Sequence, residues 1–131
     1  FIILILHTLM TTRKVELFRQ NQGTISMAQI SNKIIDIIKK FVANATEDKI
    51  NISEIILFGS YAKGTYNDWS DIDIAVISSD FEGNRLLDNK KIRKAKLSAS
   101  LDLETHPYRP EEFTYNNPFV QEILQYGIKI I

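Results

Sequence analysis

The amino-acid sequence predicts an α+β domain in which a small mixed β-sheet is flanked by helices. Three stretches carry that expectation. Ile30, Ile34, Ile37, Ile38, Phe41 and Val42 recur at helical spacing, as one buried stripe of an amphipathic helix requires. Ile52 to Phe58 is a short apolar run ended by Gly59, which is the pattern of a buried strand. Ile72, Ile74, Val76 and Ile77, interleaved at the start with Asp71 and Asp73, form a second strand.

The elements follow in order. Lys33, Asp36, Lys39 and Lys40 occupy the wet side of the first helix. Ser60 to Lys63 has room for one helical turn, and Gly64, Asn67 and Asp68 then mark a loop. After the second strand, Leu86 to Leu97 reads as a basic amphipathic helix. Leu101-Asp-Leu-Glu104 alternates again as a third strand, and Pro107 and Pro110 break the chain. Phe119 to Tyr126 makes a last helix ended by Gly127, and Ile128 to Ile131 adds an edge strand. No internal repeat or low-complexity tract interrupts this order.

A chain of 131 residues suits one compact domain. Its pattern changes at Met27: residues 1–26 are expected to lie outside the domain, as an extension unrelated to it, and residues 27–131 to form it. The apolar run Phe1 to Leu6 is far shorter than the roughly 20 residues a membrane helix needs, so neither a membrane span nor a targeting segment is expected. Sixteen basic and sixteen acidic side chains cancel, which leaves no global field toward nucleic acid or an anionic membrane. The cluster Lys90, Lys91, Arg93, Lys94 and Lys96 reads as the solvated face of a helix. With no cysteine, disulfides, thiolate zinc sites and cysteine nucleophiles are excluded, and a cytoplasmic location is the expectation. Two histidines cannot by themselves build a zinc site.

Chemistry concentrates between Leu57 and Ile74. Asp71 and Asp73 stand two residues apart on a strand, so both carboxylates project from one face. Such a pair repels itself unless a cation lies between its members. Hard oxygen ligands at this spacing suit Mg²⁺, commonly held by one or two carboxylates plus substrate phosphates. Two metal ions would stabilise both the attacking and the leaving oxygen of a phosphoryl displacement. Gly59 and Ser60 sit where the first strand turns into a helix start, where backbone N–H groups attract phosphate. Ten residues separate Ser60 from Asp71, enough for a short helix and a loop that bring cradle and carboxylates face to face.

Competing motifs fail. Gly59 and Gly64 have the spacing of a P-loop, but Thr65 and Tyr66 replace its Lys-Ser/Thr. An EF-hand needs a glycine and a later glutamate, whereas Asp73 runs into Ile74-Ala-Val-Ile77. A lone Asp-x-Asp also serves sugar-nucleotide transferases, but those give no reason for Gly-Ser upstream. The four fixed residues would coincide by chance in about one chain of this length in a thousand.

Gly59-Ser60, ten residues and Asp71-Ile-Asp73 resemble the signature of the minimal nucleotidyltransferases of the DNA polymerase β superfamily. The resemblance runs from about Met27 to Ile131. It implies a polymerase β-like nucleotidyltransferase fold, Mg²⁺ (two ions), ATP or another nucleoside triphosphate as donor, and often a HEPN-domain protein as partner in a toxin–antitoxin pair. It also implies a third carboxylate on a later strand. Asp102, flanked by Leu101 and Leu103, and Glu104, ahead of His106-Pro-Tyr108, both qualify. They share one face if the strand includes both, and pattern does not separate them. Either would accept the proton of the attacking hydroxyl or complete the second metal site.

Lys63 falls where family members often carry a basic residue that touches phosphate. Ser70 reads as a loop-shaping residue, His106 as a structural one, and Tyr61 and Trp69 as aromatic core packing. The functional expectation is transfer of a nucleoside monophosphate, AMP from ATP, to an acceptor hydroxyl. Two alternatives stand beside it: a non-catalytic antitoxin that covers its partner, and a small-molecule transferase of the aminoglycoside type. Retention of the full acidic set speaks against the first. The short chain speaks against the second, because such enzymes need a further domain to hold the acceptor.

Overall fold

The computed structural model describes residues 30–131. The expected boundary between residues 26 and 27, and the segment before it, lie outside the described residues. Helix α1 spans Asn32–Glu47. It is followed by strand β1 (Glu54–Phe58), the one-turn helix α2 (Ser60–Lys63) and strand β2 (Ile72–Ile77). Helix α3 (Arg85–Ala99), strand β3 (Leu103–Tyr108), a 3₁₀ turn (Pro110–Glu112), helix α4 (Pro118–Tyr126) and strand β4 (Ile128–Lys129) complete it.

The four strands lie in the order β3-β2-β1-β4. β1 runs antiparallel to β2 and to β4, whereas β2 and β3 are parallel. The sheet is therefore mixed, as the sequence predicts. A parallel neighbour needs a crossover, and α3 supplies it.

Alternation divides the sheet into two unequal faces. Ile55, Leu57, Ile72, Ile74, Val76 and Leu103 point to one side, where Ile34, Ile38, Phe41 and Ala45 of α1 and Ile92 and Ala95 of α3 bury them. These helical positions recur every three or four residues, one stripe per helix. Ser31 caps α1 by accepting a hydrogen bond from Ile34 N, and Asn84 caps α3 through Leu87 N. Asn44 Nδ2 donates to Ala95 O at 3.2 Å and ties the two helices together. The opposite face carries Ile56, Ala75 and Ile77 under Val120, Ile123 and Phe113. The nine-residue α4 is the helix that covers this side. It leaves the end bearing Phe58, Asp73, Glu104 and His106 only partly covered, and the site forms there.

Three details depart from the sequence reading. β3 starts at Leu103 and contains Pro107, which pairs with Val76 inside the sheet instead of breaking the strand. An edge strand tolerates this, because its outward N–H has no ladder partner to lose. α3 exposes Leu86, Leu87 and Leu97 while burying a carboxylate, Asp88. Asp88 accepts from the N–H groups of Glu82 and Gly83 at 2.8 and 3.0 Å, which closes the loop ahead of the helix and satisfies the buried charge. Trp69 is not core packing: it is 93% exposed, whereas the half-buried Tyr61 stacks on Tyr66 with ring centroids 4.4 Å apart.

The basic cluster behaves as expected of a solvated face. Lys90, Lys91, Arg93 and Lys94 are exposed, and Lys91 reaches Glu82 at 3.3 Å. Among the described residues no helix is long and apolar enough to cross a membrane.

Candidate active site

Gly59 ends β1 with φ 71° and ψ −151°. That left-handed region belongs to glycine. The turn it makes does more than redirect the chain. A Cβ on Gly59 would lie 3.2 Å from the Cβ and Cγ of Asp73 and closer still to its Oδ2. The Asp73 carboxylate thus sits directly against the Gly59 backbone, with Ser60 opening α2 beside it. α2 is a single turn, so any attraction for an anion here would come from local N–H groups at the turn more than from a macrodipole.

Asp73 is half-buried in β2, opposite Phe58 on β1 and beside Glu104 on β3. Paired residues of neighbouring strands project to the same face, so Glu104 shares the Asp73 side. Asp71 immediately precedes β2 and is exposed. The loop leading to it is shaped by Ser70, whose Oγ accepts from Asn67 N at 2.9 Å, as the sequence suggests.

Asp102 goes elsewhere. It lies in the turn before β3, where strand alternation no longer applies. Its carbonyl accepts from Ile72 N at 2.8 Å, and it borders a pocket of about 210 Å³ beneath α1 with Ser31, Lys33, Tyr61 and Tyr66. Asp102 thus lies outside the strand, and of the two acids only Glu104 is paired with Asp73. Lys63 closes α2, is exposed, and holds its ammonium 5.5 Å from the centre of the Tyr126 ring. It flanks the turn rather than entering it.

One residue read as structural stands inside the site. His106 packs edge-on against Phe58 with ring centroids 5.0 Å apart. Its Nε2 is buried without a hydrogen-bond partner and faces Asp73 Oδ1 at 3.5 Å. Its Nδ1 lies 3.0 Å from Arg85 Nη2. The spacing Glu104-x-His106 on a strand was the available signal, because it places the ring on the carboxylate face. Next on the same face, burial pushes the Tyr108 hydroxyl above its ordinary range, partly offset by Arg85 and reinforced by Glu112. Tyr108 therefore stays protonated at physiological pH and is no ready nucleophile.

Among the described residues no group of three or more histidine, cysteine or acidic side chains closes around a metal ion by itself. Magnesium does not require such a cage, since it keeps waters and takes one or two carboxylates plus phosphate oxygens. Asp73, a hard oxygen donor against a glycine turn that admits close approach, and the exposed Asp71 two residues before it fit that mode.

A mixed sheet that sets a Gly-Ser turn against an Asp-x-Asp strand is an arrangement suited to phosphoryl transfer. The family model of the nucleotidyltransferase domain matches residues 33–130, and the chain belongs to that family. A Methanocaldococcus jannaschii protein, named provisionally as a protein adenylyltransferase, is 31% identical over 103 residues, covering 75% of this chain and 99% of that one. A second protein of that organism with the same provisional name is 52% identical over 48 residues, 34% of this chain and 47% of its own. A crystal structure of a toxin–antitoxin with AMP-PNP superposes with a TM-score of 0.51 at 25% identity, over 77% of this chain and 73% of that one. The fold is the polymerase β-like nucleotidyltransferase fold, and the domain is that of a nucleotidyltransferase enzyme.

Proposed function

We propose that this enzyme transfers AMP from ATP, with Mg²⁺, to a hydroxyl of a partner protein, a HEPN-type toxin in a toxin–antitoxin pair. The observation that carries this reading is the seat of Asp73 against the Gly59 turn, with Glu104 beside it on the neighbouring strand. The provisional names of the relatives, and the toxin–antitoxin neighbour with its AMP-PNP, support the choice of donor and acceptor.

In this reading Gly59 and Ser60 hold the triphosphate through backbone N–H groups and the serine hydroxyl, with Lys63 at the flank. Asp71 and Asp73 hold the metal, which when bound neutralises charge on the phosphates and orients them. Glu104 is the third carboxylate and takes the proton of the acceptor hydroxyl. The hydroxyl oxygen forms a bond to the α-phosphorus, the bond from that phosphorus to the bridging oxygen breaks, and pyrophosphate leaves. Asp102 has no part in these steps.

The open rim suits a protein acceptor better than an enclosed small molecule. Trp69, two residues before Asp71, and Tyr66 are 93% and 55% exposed, and exposed aromatic residues are common anchors at protein interfaces. Calorimetry should show ATP binding with Mg²⁺ and weak or no binding without it. Intact-mass spectrometry of the co-purifying partner after incubation with ATP and Mg²⁺ should show added AMP. Equal binding with and without metal would overturn the metal role, and an unmodified partner would overturn the acceptor.

The catalytic unit in this reading begins at Met27. A chain starting there should bind ATP with Mg²⁺ as the longer chain does; an unfolded product, seen by circular dichroism, would show that residues 1–26 belong to the domain.

A further inference from the structure

Arg85, His106 and Asp73 form a line across the open face of the sheet. Arg85 opens α3, His106 lies in β3 and Asp73 in β2. A guanidinium has donors and no acceptor, so the 3.0 Å contact between Arg85 Nη2 and His106 Nδ1 makes Nδ1 the accepting nitrogen. The ring proton then resides on Nε2. That atom is buried, has no hydrogen-bond partner, and faces Asp73 Oδ1 at 3.5 Å. Burying an N–H without an acceptor costs about 1–3 kcal/mol, which a merely structural role at this place does not explain.

We infer that His106, with its tautomer set by Arg85, positions the carboxylate of Asp73. The two oxygens of Asp73 have different neighbours: Oδ2 occupies the space that a Cβ on Gly59 would fill, and Oδ1 faces the Nε2 edge of His106. The edge-on contact with Phe58 holds the imidazole plane in turn. A carboxylate confined in this way does not swing away when phosphate oxygens arrive, so less ordering is required on binding. Partners that orient a ligating carboxylate typically change metal affinity or activity about ten- to a hundredfold when removed.

The inference rests on the proposed metal role of Asp73, and its test keeps the two apart. The probe is Mn²⁺, titrated in the presence of AMP-PNP into the full chain and followed by electron paramagnetic resonance. In the wild type, tight Mn²⁺ binding that needs the nucleotide supports the parent reading; its absence overturns that reading and this one with it. His106→Phe keeps an aromatic ring beside Phe58 and removes the donor, and should weaken Mn²⁺ binding about ten- to a hundredfold. His106→Gln restores an N–H near the Nε2 position and should recover most of the affinity. Arg85→Met, which leaves the ring in place and frees its tautomer, should lose a smaller factor and serves if the Phe variant does not fold. The metal-free melting temperature of His106→Phe should hold or rise, because an unsatisfied buried N–H is gone. Wild-type Mn²⁺ affinity in a folded His106→Phe or Arg85→Met variant, or a Gln variant as weak as the Phe variant, would overturn the inference.

Discussion

Replacing Asp71 or Asp73 by Asn should abolish nucleotidyl transfer and leave the fold intact. Both side chains lie at the open end of the sheet, Asp71 exposed and Asp73 half-buried, and neither belongs to the apolar clusters on the two faces. Their removal therefore takes little from stability. Removing one of two neighbouring like charges relieves repulsion in the metal-free protein, so the melting temperature should hold or rise slightly. Activity responds in the opposite direction. An amide is a poor partner for a hard divalent cation, and loss of a single preorganised charge-stabilising group commonly costs a hundredfold or more in turnover. Glu104→Gln should lower turnover with less effect on metal-dependent ATP binding, whereas Asp102→Asn should leave transfer nearly unchanged. Full activity in both Asp71→Asn and Asp73→Asn, measured as pyrophosphate release, would refute the carboxylate assignment.

Gly59→Ala should lower both stability and Mg²⁺-dependent ATP binding. Two effects act together. The φ of 71° and ψ of −151° lie in a region essentially reserved for glycine, and holding another residue there costs about 1–3 kcal/mol. The added methyl also collides with the Asp73 carboxylate, whose Cβ and Cγ would stand 3.2 Å away. Backbone and side chain both resist, so Asp73 must shift. A displacement of about 1 Å at a reacting centre can lower turnover by about a hundredfold. Gly64→Ala separates the two effects: its φ is 76°, but a methyl there meets nothing within 4 Å. It should show strain by thermal denaturation and keep Mg²⁺-dependent ATP binding. If Gly59→Ala binds ATP as tightly as Gly64→Ala does, close approach of Gly59 to Asp73 is not what the site requires.

Much of this arrangement is legible in the chain itself. The stripe from Ile34 to Phe41, the apolar run before Gly59 and the alternation from Ile72 to Val76 encode helix, strand and strand through periodicities that any burying surface demands. Gly59, Ser60, Asp71 and Asp73 are visible because the motif they form depends on local spacing: a turn and a strand two elements apart. β3 was harder. A proline inside a strand reads as a break until one knows that the strand is an edge, and edge position is a property of the sheet order β3-β2-β1-β4.

The sequence by itself determined the class of domain, the Gly-Ser turn and the Asp-x-Asp pair, because each rests on residues close together in the chain. The tertiary structure alone placed Glu104 inside a strand, paired with Asp73, and Asp102 in the turn before it. Two residues apart, they look equivalent by alternation, but Asp102 falls in the turn before β3 and borders the pocket beneath α1, while parallel pairing with β2 sets Glu104 beside Asp73. It also brought His106, 33 positions further along the chain, against the Asp73 carboxylate, and Arg85, 21 positions before His106, against that ring. Contacts of that kind depend on which strands become neighbours, and the pairing is chosen by the burial of both sheet faces at once, which no local pattern encodes.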